Sequence, residues 1–206
     1  MVLFEKMSLL FFICMSLALL IVLTLVVRYG YTQHIDTLVL KWLTSFKSNS
    51  LDDFFKWITW AGSLWILVPL TFLIMVTLYF FKYPLISVMF GVGFLGTITT
   101  TYLIKYAIAR ERPDFSLPSM PIDPSFPSAH TAQIVAFTIL VWCVIVMISL
   151  SLKWFVISPL IAISFLVAFS RMYLGVHFPT DVIGGMLVAF SMTCCSYLAF
   201  KGSVSL

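Results

Sequence analysis

Apolar residues run through this chain in long unbroken stretches, divided by short polar ones. A helix that crosses a bilayer needs about 20 apolar residues, and about six stretches approach or meet that length: 9–27, 64–81, 85–104, 131–150, 154–169 and 182–200. The fifth is the shortest. The links after the second and fourth are tight, marked by Lys82 and Lys153. Residues 35–46 follow a different pattern. Ile35, Leu38, Val39, Trp42, Leu43 and Phe46 recur at helical spacing, with Asp36, Thr37, Lys41, Thr44 and Ser45 on the other side. This pattern predicts an amphipathic helix, lying at the membrane interface or packed on the spans. Ser50 and Asp53 have the spacing of a capping box for a helix feeding the second span, whose Phe54, Phe55, Trp57 and Trp60 suit the headgroup belt.

Composition agrees with the pattern. The 206 residues are 62% hydrophobic and 10% charged, with a mean hydropathy of +1.10, which excludes an ordinary soluble domain. The expected architecture is all-α: one polytopic membrane helical bundle over residues 1–206, with about six transmembrane helices and the interfacial helix. The first apolar run is too long for a signal-peptide core and lacks a small-residue cleavage site, so it is expected to stay as a helix. A net charge of +4 without a basic run gives no reason to expect nucleic acid as a partner. Cys14, Cys143, Cys194 and Cys195 all lie in apolar runs without zinc spacing and read as packing residues. Gly91, Gly93 and Gly96 spell G-x-G-x-x-G, but inside an apolar helix with no strand before it. Close helix packing explains them, and Gly184 and Gly185, better than a dinucleotide does.

The polar residues that remain are few, and topology gathers them. Lys105, Arg110 and Arg112 follow the third run, and Ser128 and His130 precede the fourth. Arg171 and His177 follow the fifth, and Asp181 opens the sixth. Ends of odd spans and starts of even spans share one membrane face. Charges at membrane depth are costly and usually functional. Lys105, Arg112 and Arg171 read as three cations converging without matching carboxylates, a nest for a multiply charged anion such as phosphate. Ser128 stands at a helix start, where backbone N–H groups favour phosphate as well. Pro179 fits the first turn of a helix, which puts His177 within reach of Asp181 four residues on. A carboxylate on one ring nitrogen leaves the other free as nucleophile or base. Of the two histidines, one can attack phosphorus and the other can protonate the departing oxygen. No Asp/Glu/His cluster has metal-site character, so the cations are expected to supply the electrostatic stabilisation, with no metal or cofactor. Arg110, Glu111 and Asp114 read as interfacial charges, Arg110 pointing away from Arg112 on a helical continuation, and His34 as a surface residue. Between Arg112 and His130 stand Pro113, Pro118, Pro121, Pro124 and Pro127, with Phe115, Leu117, Met120, Ile122 and Phe126 among them. This loop cannot be a helix; it reads as a lid over a membrane-level pocket or as an ordered connector.

Three motifs now stand in order: Lys105, six residues, Arg112-Pro113; then Pro127-Ser128-Ala129-His130; then Ser170-Arg171, five residues, His177, three residues, Asp181. The chain thereby resembles the type-2 phosphatidic acid phosphatase superfamily, with the motifs over residues 105–181 and the six-span layout extending the likeness to nearly the whole chain. It departs from the family at Ala129, where the family has glycine, and alanine is less free at positive φ. The resemblance implies that His177 is the nucleophile, Asp181 its orienting partner, and His130 the general acid and then the base that activates water. It implies that Lys105, Arg112, Ser128, Arg171 and the backbone at Ala129 hold the phosphate oxygens.

The implied activity is metal-independent hydrolysis of a lipid phosphate or pyrophosphate through phosphohistidine. Candidate substrates are phosphatidylglycerophosphate, phosphatidic acid, undecaprenyl pyrophosphate and lipid A phosphates. The alternative is a phosphotransferase passing the phosphoryl group to another lipid. Lysine and arginine do not fix the orientation: Lys6, Lys82, Lys153 and Lys201 mark one face, Lys41, Lys47 and Lys56 the other. The resemblance implies a plasma (inner) membrane protein with the site on the extracytoplasmic side.

Overall fold

The computed structural model describes residues 2–114, 122–151 and 153–202. Among them are eight helices and no strand: α1 (Val2–Arg28), α2 (Gln33–Thr44), α3 (Asn49–Trp60), α4 (Leu64–Phe80), α5 (Pro84–Ile108), α6 (Ala129–Met147), α7 (Lys153–Tyr173) and α8 (Pro179–Lys201). Six elements are long and apolar enough to span a membrane, with α3 and α4 together forming the second. All six expected spans are therefore present, and the chain is a multi-pass integral membrane protein.

The spans differ in how much lipid they would meet. In α6, 67% of the most apolar stretch is buried, and in α8 50%, against 22% in α1, so α6 and α8 form the centre and α1 an outer wall. The main core joins α4, α5, α6 and α7 around Leu67, Phe90, Phe94, Phe137, Leu140 and Val167, with Ala189 from α8. Polar groups in a lipid-embedded bundle need partners inside it, and such pairs hold helices together. Ser16 meets Ser191 at 2.7 Å between α1 and α8, and Thr138 meets Ser164 at 2.8 Å between α6 and α7. Ser196 donates to the carbonyl of Met89 at 2.7 Å between α8 and α5. The glycine expectation holds at Gly185, where a Cβ would lie 2.6 Å from the Ser128 carbonyl, and at Gly93, where it would lie 2.7 Å from Leu140. It fails at Gly96, which has open space around it.

Three boundaries differ from expectation in ways that matter for the site. The third span runs on to Ile108, so Lys105 sits inside its last turn rather than after it. The fifth runs to Tyr173 and carries Arg171 in its last turn. The cap of α3 is Ser48, whose Oγ accepts the Leu51 N–H, rather than Ser50. Phe55 leaves the expected aromatic belt and packs on Phe169 and Tyr173 of α7, while Phe54, Trp57 and Trp60 stay exposed. That packing presses α3 onto α7, and the joint at Gly62 closes on Val167 and His130.

The helix expected over 35–46 is α2. Ile35, Leu38, Trp42 and Phe46 face outward, as an interfacial helix requires, but Leu40 and Leu43 pack under it on Phe178. Asp36, expected on a water-facing side, is buried.

Candidate active site

His177 and Asp181 come together because the chain turns sharply between α7 and α8. Gly175 takes φ +70° there, the His177 N–H bonds the Arg171 carbonyl at 3.2 Å, and Pro179 starts α8. Asp181 is the third residue of α8, and its Oδ2 accepts the Phe178 N–H at 2.8 Å, so the carboxylate faces back over the helix start. From there Oδ2 lies 3.4 Å from His177 Nδ1. Ser125 Oγ lies 3.4 Å from the same nitrogen and donates to Asp181 Oδ2. The opposite nitrogen, Nε2, is 3.3 Å from Arg112 Nη1. Arg112 can only donate to Nε2, and Ser125, whose proton goes to Asp181, can only accept at Nδ1, so the ring proton belongs on Nδ1 and the Nε2 lone pair faces Arg112.

Lys105 and Arg112 do not lack a carboxylate, contrary to expectation. Asp123 Oδ2 pairs with Lys105 Nζ at 3.0 Å, and Asp123 Oδ1 with Arg112 Nη2 at 2.9 Å. Arg112 also donates to the Asp123 and Val176 carbonyls at 2.9 and 2.8 Å, and Lys105 to the Pro124 carbonyl. These contacts tie the described end of the proline loop, residues 122–128, onto α5. The rest of that loop, where Phe115, Leu117, Pro118, Met120 and Pro121 prompted the lid reading, lies outside the described residues. Arg171 is the cation that makes no ion pair among the described residues. Its Nη1 donates to Thr59 Oγ1 at 2.7 Å, and its buried Nε has no hydrogen-bond partner.

Ser128 caps the start of α6 by position, its N–H bonding the Asp181 carbonyl at 2.9 Å and its Oγ accepting from Thr131 at 3.0 Å. Ala129 is the first helical residue and is not among the positive-φ positions, so alanine suits the backbone here. The first-turn N–H groups of α6 have no acceptor within the helix. His130 follows, within electrostatic reach of Arg171, Arg112 and Asp123 and near His177. It lines a cavity of about 310 Å³ with Thr59, Trp60, Ser63, Leu64, Trp65, Tyr102, Ala129 and Gln133. Trp60 and Trp65 are exposed at its rim.

Arg110 corrects the sequence reading most sharply. Its side chain is 8% exposed and pairs with both Asp181 and Asp36 at 2.7 Å. Glu111, Asp114 and His34 are exposed as expected. Six residues of the assembly were missed: Asp36, Thr59, Arg110, Asp123, Ser125 and Thr180. Only charge in an apolar chain could have flagged Arg110, Asp36 and Asp123; nothing marked the three hydroxyls.

Burial, and then the positive charges of Arg171, Arg112 and Lys105, hold His177 well below the ordinary imidazole range. Burial alone would raise the Asp123 carboxyl, but Lys105 and Arg112 outweigh it and keep it below the usual carboxylate range. His177 is thus neutral at pH 7, the form able to attack. Because its folded pKa is depressed, its contribution to stability is present above about pH 6.5 and is lost as pH falls through the folded value. The acidic limb of kcat/KM that belongs to His177 is expected below about pH 6.5. An NMR titration of the His177 imidazole, assigned by its absence in His177→Ala, with its midpoint at or above 6.5 would show that the cations do not act on this ring.

Comparison with known proteins places this geometry in context. Residues 84–204 match the PAP2 superfamily. Phosphatidylglycerophosphatase B of Bacillus subtilis is 26% identical over 187 residues, spanning 88% of this chain and 89% of that protein. An undecaprenyl-diphosphatase of Sulfolobus acidocaldarius is 32% identical over 62% of this chain and 60% of its own length. The crystal structure of a transmembrane PAP2-type phosphatidylglycerolphosphate phosphatase from Bacillus subtilis superposes with a TM-score of 0.80 at 23% identity, covering 98% of each chain. That of Aquifex aeolicus LpxE gives 0.60 at 24% identity, over 78% of this chain and 93% of the other.

Proposed function

Since the chain belongs to the PAP2 superfamily, we propose that it is a membrane-embedded phosphatase, removing phosphate from a lipid phosphate or pyrophosphate through a phosphohistidine intermediate. The observation that carries the proposal is the His177 ring, with Asp181 at Nδ1 and Nε2 turned into the cations. In the proposed mechanism the phosphate lies among Arg112, Arg171, Lys105, Ser128 and the first-turn N–H groups at Ala129. Nε2 attacks phosphorus in line, and the bond to the lipid oxygen breaks. His130 gives that oxygen a proton, then takes one from the water that attacks phosphohistidine and releases inorganic phosphate. The unmatched Nε of Arg171 supports placing an anion there, because a buried donor without a partner is costly. The cavity beside His130, with its exposed tryptophans, supports entry of the substrate from the membrane.

The substrate class includes phosphatidylglycerophosphate and undecaprenyl pyrophosphate, after the names of the relatives, and phosphatidic acid and lipid A phosphates by the same headgroup chemistry. We place the chain in the plasma (inner) membrane as one domain over residues 1–206, with the site on the extracytoplasmic side as the family resemblance implies. The test is phosphate release by purified protein from each lipid offered alone. Free phosphate from a single lipid is expected; its absence, with transfer only when a second lipid is added, would indicate a phosphotransferase. Release is expected to persist in excess chelator and to be inhibited by vanadate, which adopts the five-coordinate geometry of phosphoryl transfer. Loss on chelation with recovery on adding magnesium would overturn the metal-free part of the mechanism.

A further inference from the structure

We propose that Arg110 and Asp36 are positioning residues for the reaction: together they brace Asp181 and so connect the interfacial helix α2 to the nucleophile. The inference rests on the proposed role of Asp181 as the partner of His177.

The two oxygens of Asp181 have separate neighbours. Oδ2 takes the Phe178 N–H and the Ser125 hydroxyl and faces His177 Nδ1. Oδ1 is held by Arg110 Nη1 at 2.7 Å. Rotation of a carboxyl about its last bond exchanges its oxygens, so a fixed donor on Oδ1 keeps Oδ2 on the histidine. Arg110 is itself immobilised. Its Nη2 donates to Asp36 Oδ2 at 2.7 Å and to Gln33 at 3.3 Å, its Nη1 also reaches Thr180 at 2.8 Å, and its guanidinium lies 4.1 Å from the centre of the Phe178 ring.

Asp36 has a second function in the same brace. Its Oδ1 accepts the Thr180 N–H at 3.2 Å and its Oδ2 the Thr180 hydroxyl at 2.6 Å. Thr180 lies in the first turn of α8, whose N–H groups have no acceptor within the helix. Asp36 therefore caps α8 from a different helix, one residue away from Asp181. A planar fork is needed here, because two nitrogens of one cation must meet two carboxylates about equally closely; a lysine carries one point charge and cannot do both. A purely structural ion pair would need no member in contact with the group that orients the nucleophile.

The test is a double-mutant cycle on the full chain in detergent with one lipid phosphate, read as kcat and KM, and under single turnover with enzyme in excess so that slow variants stay measurable. Arg110→Gln is expected to lower kcat about tenfold or more, as loss of a charged hydrogen bond would, with KM changed less than about twofold. In an Asp181→Asn background, where the carboxylate it braces is gone, the same substitution should cost less than about twofold. Arg110→Lys should recover part of the loss, and Asp36→Asn should show a smaller fall in kcat that also vanishes on Asp181→Asn. Equal losses in both backgrounds, or a rise in KM with kcat held, would overturn the inference. Should Arg110→Gln fail to fold, the cycle between Asp36→Asn and Asp181→Asn decides by the same criterion. Failure of this cycle while His177→Ala abolishes phosphate release would reject the brace and leave the proposed function standing.

Discussion

His177→Ala is expected to remove phosphate release entirely, while the protein keeps its folded yield and thermal unfolding in detergent. The reason is covalent. Loss of an attacking side chain costs on the order of 10⁶-fold in well-studied hydrolases, and among the described residues no second imidazole is ion-paired to a carboxylate. His130 cannot substitute: it starts α6 beside Arg171, and none of the ion pairs among the described residues includes it. Folding should survive, because His177, although buried, lies in the turn between α7 and α8, and the apolar contacts that join the spans do not depend on it. The same assay can trap the intermediate. A phosphoryl group on imidazole nitrogen is stable to alkali and labile to acid, so radiolabelled lipid phosphate quenched in base should leave label on the protein. The label should be absent from His177→Ala; in His130→Ala, which lacks both the acid for the leaving oxygen and the base for water, it should form more slowly and, once formed, persist longer. Substantial turnover by His177→Ala, or label unaffected by its removal, would take the nucleophile role away from this residue.

The spans were legible because burial in lipid leaves no alternation to decode: a run of about 20 apolar residues has one reading. The gathering of Lys105, Arg112, Ser128, His130, Arg171, His177 and Asp181 was legible for a related reason, since six alternating spans leave span ends on fixed faces. Arg110 shows where that logic stops. Its outward direction followed from continuing α5 past Lys105. The helix ends at Ile108, and Ala109 takes φ +50°, a left-handed turn that throws Arg110 inward onto Asp36 and Asp181. A helix end of this kind is usually marked by glycine, and alanine gave no such signal. Asp123 and Ser125 were hidden differently. They sit in a proline-rich loop with no period, so no face could be assigned to them before the loop was seen folded onto Lys105 and His177. At Asp36 the pattern itself misled, because a carboxylate on the polar side of an amphipathic helix is ordinarily solvated. Here Asp36 is buried against Arg110, while Ile35, Leu38 and Trp42 of the apolar side are exposed.

Arg171→Gln is expected to cost more than any other single loss among the phosphate-binding cations. Lys105 and Arg112 are already paired with Asp123, so part of their charge is spoken for within the chain. Arg171 is in no ion pair among the described residues, its Nη1 meets only the neutral hydroxyl of Thr59, and its buried Nε is without a partner. An arriving phosphate can therefore take the Nε edge of its fork. Removing a preorganised donor that meets developing negative charge typically costs roughly 2.7–4 kcal/mol, which is on the order of a hundredfold or more in rate. Arg171→Lys should remain at least about tenfold impaired, because the charge returns but the Nε–Nη edge that matches two phosphate oxygens does not. Lys105→Met should behave differently again. It releases Asp123 and the Pro124 carbonyl, so its loss should appear partly as lower folded yield. The variants need matched folded yields, one lipid substrate at saturation, and a parallel vanadate titration, since the vanadate constant should weaken in step with kcat for Arg171→Gln. A fall of less than about threefold for Arg171→Gln, the size expected of an exposed charge, would move the phosphate away from the end of α7 and toward the pair held by Asp123.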